Sequence, residues 1–381
     1  MSANFAIEEL DRYGPRVYAD HNATTPILPV VAKALRAALL ETGNPSSVHS
    51  AGRAARRKLE TARRQVAGLV GASPDEVIFT SGGTEADCLA LRGSGRPRLF
   101  VSAIEHDALL NAVPDAHLIP VTTEGYVDLG ALEAMLQVTD SPALVSVMWA
   151  NNETGVVQRI AEVVALAREY SALVHSDAVQ ALGKLEIDFR ASGLDMMSIS
   201  AHKIGGPAGV GALVLREEVG LAAQISGGGQ ERGRRSGTEN ILGIVGFGAA
   251  AEEVVSNPAA ATEMRILRDK FEALILKDAP NAFILSRGAR RLANTTCVAI
   301  PGMLAETQVM ALDLGGFAVS AGAACSSGKI VTSHVIEAMG LGEKVARCAI
   351  RISWGRGNTE VEVERLAAAW LSLYKRAVET S

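Results

Sequence analysis

Cysteine is scarce in this chain: 381 residues contain four, Cys88, Cys297, Cys325 and Cys348, with neither a CxxC pair nor metal-ligand spacing. That argues against a disulfide framework and a clustered metal site, and for reduced thiols; no metal ligand set is expected. An excess of cations is also missing. The 37 basic residues are outnumbered by 42 acidic ones, giving a formal net charge of −5, so no overall positive field draws the chain to nucleic acid or an anionic membrane. No uninterrupted apolar run reaches the roughly 18 residues of a membrane span, and the N-terminal segment has no apolar signal core. Internal repeats and low-complexity tracts are absent. These gaps leave a soluble, cytoplasmic protein as the expectation.

What is present is an ordinary globular composition, 48% hydrophobic and 21% charged, in a chain long enough for two or three domains or one large domain with an appendage. Short apolar runs at 77–79, 99–101, 143–148, 173–175, 196–199 and 211–215 read as strands, and most end in polar or Gly-rich turns. Amphipathic patterns at 53–70, 160–170 and 263–277 read as covering helices. Ser73-Pro74-Asp75-Glu76 looks like a helix-start capping box, but a strand-like run follows, so only a short turn is expected. The alternation predicts an α/β layer structure with a mainly parallel sheet. After about residue 255 the pattern changes to a long charged helix, short strands and a closing helix at 359–377. A large unit at 15–255 and a smaller one at 256–381 joined by 1–14 are therefore expected. The Gly/Arg-rich stretch 227–238 reads as a flexible functional loop.

Three stretches carry chemistry. Thr80-Ser81-Gly82-Gly83-Thr84-Glu85 runs from a strand through a Gly-rich turn into a helix start, the outline of an anion site. Asp177, with Gln180 three residues on, follows a buried strand. It could cap a helix, or stay ionised to keep a pyridinium nitrogen protonated. Lys203 follows another strand in Ser200-Ala201-His202-Lys203 and precedes Gly-Gly-Pro rather than a solvated helix, a setting for a desolvated Schiff-base amine.

Together with Asp20-His21-Asn22-Ala23-Thr24-Thr25-Pro26, Gly43-Asn44-Pro45-Ser46-Ser47, Asn151-Asn152-Glu153-Thr154-Gly155, Gly228-Gly229-Gln230-Glu231-Arg232 and Arg235-Ser236-Gly237-Thr238, these stretches resemble the cysteine desulfurases of the class V, fold-type I aminotransferase superfamily over nearly the whole chain. The resemblance implies a pyridoxal 5′-phosphate (PLP) enzyme whose large domain has a mainly parallel seven-stranded sheet, beside a smaller α+β domain. It implies that Lys203 binds the cofactor covalently, Asp177 contacts the pyridine nitrogen, Gln180 bonds the ring hydroxyl, and His106 stacks on the ring and exchanges protons. Gly83, Thr84, Ser200 and His202 would hold the phosphate, joined by Thr238 of a second subunit, which implies a homodimer. Arg351, aided by Asn152, would grip the substrate carboxylate; taken alone, Arg351 reads equally as a structural ion pair on a strand.

Cys325 differs from the other cysteines because Ser320-Ala321-Gly322-Ala323-Ala324-Cys325-Ser326-Ser327-Gly328-Lys329 surrounds it with small and polar residues. Cys88, Cys297 and Cys348 read as packing residues, Cys88 standing where relatives often carry asparagine. The resemblance makes Cys325 the nucleophile that takes sulfur from L-cysteine and leaves L-alanine. The stretch from 325 to 340 resembles the long-loop group that supplies iron–sulfur scaffolds or other sulfur acceptors. An aminotransferase or selenocysteine lyase on the same fold would share Lys203 and Asp177 without needing Cys325, and a noncatalytic scaffold would need neither.

Overall fold

The computed structural model describes residues 16–280, 282–300, 302–321 and 332–379. Its strands, in chain order, are β1 (Val17–Tyr18), β2 (Val77–Thr80), β3 (Arg98–Ser102), β4 (His117–Ile119), β5 (Ala143–Ser146), β6 (Leu173–Asp177), β7 (Met196–Ser200), β8 (Gly211–Leu215), β9 (Phe283–Ile284), β10 (Thr295–Ala299), β11 (Phe317–Ala318), β12 (Ser320–Ala321) and β13 (Ala349–Ser353). Seven of them form the central sheet in the order β2-β8-β7-β6-β5-β3-β4. Only β8 runs against its neighbours. Strands β2, β5, β7 and β8 are buried at every position, as expected for apolar runs covered on both faces. All six strands expected from apolar runs are present, and the seventh, β4, is a three-residue edge strand with two exposed positions and hence no such signal.

Helices cover this sheet. The helix Ser50–Leu69 buries Ala55, Leu59, Ala62, Val66 and Ala67, spacings of three and four that trace one helical face, and His49 caps it by accepting from the Gly52 N–H. It packs on the helix Ile241–Ser256. A Cβ on Gly248 of that helix would lie 2.7 Å from the Ala62 Cα, so glycine permits the close approach. The expected helices appear as Ser50–Leu69, Ile160–Glu169, Ala260–Asp278 and Glu360–Glu379, and the Ser73 segment forms the expected short 3-10 turn with its capping box.

A second, four-stranded sheet has the order β12-β13-β10-β9, and its core of Phe271, Ile350, Ile352, Trp354, Leu366 and Trp370 is separate from that of the large sheet. The N-terminal segment ties the two together. β1 pairs with β11, and Asp20 bridges to Ser353; downstream, the Thr25 N–H donates to the His202 carbonyl and the Leu28 N–H to that of Gly205.

The β2 edge of the large sheet is covered by a buried charge pair. Glu231 accepts from both Arg63 Nη atoms at 2.8 Å and from the Phe79 N–H at 3.0 Å. Glu231 and Arg232 adopt left-handed backbone angles, φ 45° and 57°, in a stretch the sequence suggested would be flexible. Instead it is pinned by Arg63–Glu231, Arg232–Asp75 and Arg235–Glu85. Glu231→Met leaves the buried Arg63 guanidinium with only Glu60 and the Val77 carbonyl, so the urea unfolding midpoint should fall by the equivalent of about 1–3 kcal/mol, and the Arg63→Met, Glu231→Met double variant should recover much of it. An unchanged midpoint in the single variant would show that the pair contributes nothing.

Candidate active site

The register of three strands builds the site. Gly211, which opens β8, pairs with Thr80 at the end of β2 and with Ser200 at the end of β7. The turn after β2 and the Ser200–Lys203 stretch therefore emerge side by side at one end of the sheet, beside Asp177 at the end of β6. Open α/β sheets place ligands at such ends. A Cβ on Gly211 would lie 2.7 Å from the Gly82 carbonyl carbon, so no larger residue allows this approach.

A cavity of about 230 Å³ opens there, lined by Gly83, Thr84, Asp87, His106, Met148, Asn152, Asp177, Val179, Gln180, Ser200, His202 and Lys203. At one side the helix Gly83–Gly93 starts, with the positive end of its dipole and unpaired N–H groups near Ser200 and His202. Lys203 stands on the 3-10 turn Ala201–Ile204. Its Nζ donates to the carbonyls of Asn22 at 2.7 Å and Ala23 at 2.8 Å. Burial first, then the Arg351 charge, lowers its pKa to about 8, against the opposing pull of Asp177 and Asp20.

Asp177 is buried, and its Oδ1 accepts from the Val179 N–H at 2.8 Å. Burial raises its carboxyl pKa, with His106 and Lys203 pulling the other way. Beneath it, His175 joins three strands through Ser146 Oγ and Ser198 Oγ, each at 2.9 Å. Burial lowers that imidazole to about 3, so it is neutral. Asp87 packs 3.7 Å from His175 Nε2, with Oδ1 lacking a hydrogen-bond partner. Burial first and then the Asp177 charge raise the Asp87 carboxyl well above its usual range. Buried Glu105, close enough to feel both aspartates, behaves alike and also has an unpartnered oxygen. Three acids are thus buried together at the floor.

His106 caps the helix Asp107–Ala112, its Nδ1 accepting from the Ala108 N–H at 3.1 Å. The cap uses the Nδ1 lone pair, so the neutral ring carries its proton on Nε2.

The structure thus gathers nine of the expected site residues, Gly83, Thr84, His106, Asn152, Asp177, Gln180, Ser200, His202 and Lys203, around one cavity. Thr238 is exposed and lies outside that lining. Arg351 is buried on β13 and outside the lining too. Its Nη2 pairs with Asp20 at 2.8 Å and its Nη1 donates to the Asn152 carbonyl at 3.1 Å, while Nε has no partner. Cys325 lies outside the described residues. On either side of that stretch, Ser320 pairs with Arg351 across the sheet, and Ser333 Oγ donates to buried Glu153 at 2.6 Å. Cys297 and Cys348 are buried and Cys88 half-buried, in keeping with packing roles.

Sequence reasoning missed Asp20, Asn22, Asp87, Glu105 and Lys184. Asp20 and Asn22 stood in a quoted motif, and Asp87 falls one helical turn beyond Thr84, on the face that meets the cavity. Nothing local marked Lys184.

The aminotransferase class-V family matches residues 17–366. A cysteine desulfurase of Cereibacter sphaeroides is 47% identical over 367 residues, covering 92% of this chain and 94% of that protein. An IscS-like cysteine desulfurase of Mycobacterium tuberculosis is 41% identical, covering 91% of this chain and 93% of its own length. The solved structure of a NifS-like protein from Rickettsia africae superposes with a TM-score of 0.88 at 39% identity, covering 94% of this chain and 99% of that one.

The lowered amine gives a direct test. In cofactor-free protein, acylation of Lys203 by a small amine-selective reagent should rise through pH of about 8, where the free amine appears. Peptide mapping across pH reads it. A midpoint near the ordinary 10.4 of an exposed lysine would contradict the desolvated setting.

Proposed function

The chain belongs to the aminotransferase class-V family and is a cysteine desulfurase, and from that premise we propose that the cavity at Lys203 seats PLP and that Cys325 receives the sulfur of L-cysteine. The observation that carries this is the grouping of a desolvated amine, a buried carboxylate and a helix N-terminus around one cavity. The residues fit the cofactor. Gly83, Thr84, Ser200 and His202 supply donors for a phosphate, Lys203 supplies an amine for the aldehyde, and the acidic floor at Asp177 suits a protonated ring nitrogen. Bound there, PLP supplies an electron sink that makes a proton on the substrate Cα removable.

Lys203 acts at Nζ, anchoring the cofactor and, once released by substrate, moving the Cα proton. The Asn22 and Ala23 carbonyls hold that amine inside the site while it is free. Asp177 remains ionised against the ring nitrogen, reversing the upward push that burial exerts on the lone carboxyl. Gln180 bonds the ring hydroxyl. His106 stacks on the ring and exchanges protons at Nε2, the nitrogen its cap leaves available. Arg351 and Asn152 orient the substrate carboxylate, which requires the carboxylate to share or displace the Asp20 contact.

Cys325 attacks as thiolate. A bond forms between its sulfur and the substrate sulfur while the substrate C–S bond breaks. The electron pair of the broken bond stays with carbon, which takes a proton and leaves as alanine. The persulfide then passes its outer sulfur to an iron–sulfur scaffold or another sulfur-acceptor protein. The same reading divides the chain into a cofactor-binding unit at 15–255 and a smaller unit at 256–381 with 1–14, which the separate cores of the two sheets support. It also makes the enzyme a homodimer, with exposed Thr238 serving the phosphate of a second subunit.

After incubation of the PLP-loaded enzyme with cysteine, mass spectrometry should find one added sulfur on the Cys325 peptide. Cys325→Ala should keep the cofactor absorbance yet form no alanine. Undiminished alanine formation in Cys325→Ala, or sulfur on another cysteine, would refute the assignment.

A further inference from the structure

A second buried lysine stands behind the first. Lys184 Nζ donates to Asn22 Oδ1 at 2.7 Å and to Gln180 Oε1 at 2.8 Å, and among the described residues it is in no ion pair with a carboxylate. Burial, followed by the charges of Lys203 and Arg351, lowers its pKa well below that of an ordinary lysine. Whether charged or neutral, the amine has hydrogens for both oxygens.

An unconstrained glutamine amide can present either oxygen or nitrogen to a ligand. Here the choice is removed. With the Lys184 amine donating on one side and the acceptor-only Asn22 carbonyl on the other, the Gln180 oxygen faces Lys184 and Nε2 donates to that carbonyl at 2.9 Å. One N–H is used there, and the second is left for the cavity that Gln180 lines. The same Asn22 carbonyl holds Lys203 Nζ, and Asn22 Oδ1 also accepts from Asn294 Nδ2 at 3.1 Å. The Asn22 amide is fixed in turn, its Nδ2 donating to Thr295 Oγ1 at 2.9 Å and to the Asn152 carbonyl at 3.2 Å.

We propose that Lys184 is a positioning residue that locks Gln180 as a hydrogen-bond donor toward the cavity, so that the site favours a bound ring carrying an anionic phenolic oxygen. The inference rests on the cavity holding PLP and adds to that reading the device that sets one ring contact. A donor on the phenolic oxygen draws electron density from it. That weakens the oxygen's hold on the proton of the nitrogen joining ring to Lys203, and losing the donor makes that proton harder to remove.

The test is the pH midpoint of the visible absorption band of the full-length, PLP-loaded enzyme, which needs neither substrate nor Cys325. Among the described residues, the charged and titratable groups around Lys203 and Lys184 include Asp20 and His21 on the N-terminal segment, Asp177 on β6, His202 beside Lys203, Arg351 on β13 and Lys184 itself. All but Lys184 are common to the variants. Lys184→Met and Gln180→Leu should each raise the midpoint by about one pH unit, a tenfold gain in proton affinity, and the double variant should rise no further than Gln180→Leu alone. A Lys184 that acted only as a nearby charge would give additive shifts, which would overturn the proposal, as would a wild-type midpoint in Lys184→Met. Should Lys184→Met fail to fold, Lys184→Ala replaces it, since a water admitted there both donates and accepts and cannot fix an amide. Its midpoint must be raised beside Gln180 and not beside Leu at that position; an unmoved midpoint overturns the proposal. Absence of the band from the wild-type enzyme overturns this inference and the cofactor assignment together.

Discussion

An ammonium group withdrawn from water must find acceptors or lose its proton: the two peptide carbonyls at Asn22 and Ala23 give the Lys203 amine an address, while burial and then the Arg351 charge lower its pKa. Much else follows from that contact. The segment that supplies the carbonyls is bridged to β13 at Ser353 on one side and bonded to the residues around Lys203 on the other, so the two sheets meet where the amine sits. The Arg351–Asp20 pair places a guanidinium close enough to push the amine further down. A lysine so held is a nucleophile near neutral pH without a neighbouring base.

The charge distribution beneath the cavity complements that arrangement. Burial raises the carboxyls of Asp177, Asp87 and Glu105, the Asp177 charge adds to the rise of the other two, and burial keeps His175 neutral. On the proposed reading, a cation brought to Asp177 favours its ionised form against the upward push of burial. The cost is carried by the fold, through unpartnered carboxyl oxygens on Asp87 and Glu105.

How far the sequence announced this depends on the range of the signal. Short apolar runs, such as 143–148 and 211–215, marked the buried strands because strands covered on both faces need continuous hydrophobicity. The edge strand β4, exposed at two of three positions, had no such need and left no mark. The helix Ile241–Ser256 escaped as well, since Gly243, Gly246 and Gly248 suggest a loop on propensity, whereas in the fold Gly246 and Gly248 let neighbouring helices approach closely. Lys203, Asp177 and the Gly82-Gly83 turn were legible because each follows a strand end, and strand ends meet in an open sheet. Lys184, Asp87 and Asn22 were not, because what distinguishes them is a partner 162, 88 or 181 residues away, a relation no local pattern encodes. For Arg351, the sequence offered a structural pair or a substrate clamp, and the contact with Asp20 shows the pair while leaving Nε for a further partner.

Two buried lysines flank the Asn22 carbonyl segment, and the account requires that only one of them bind the aldehyde. Borohydride reduction of the PLP-loaded protein, followed by digestion and mass spectrometry, reads this directly. The pyridoxyl group should be found on Lys203 and nowhere else. A pyridoxyl group on Lys184, or none on either, would contradict the assignment of the site.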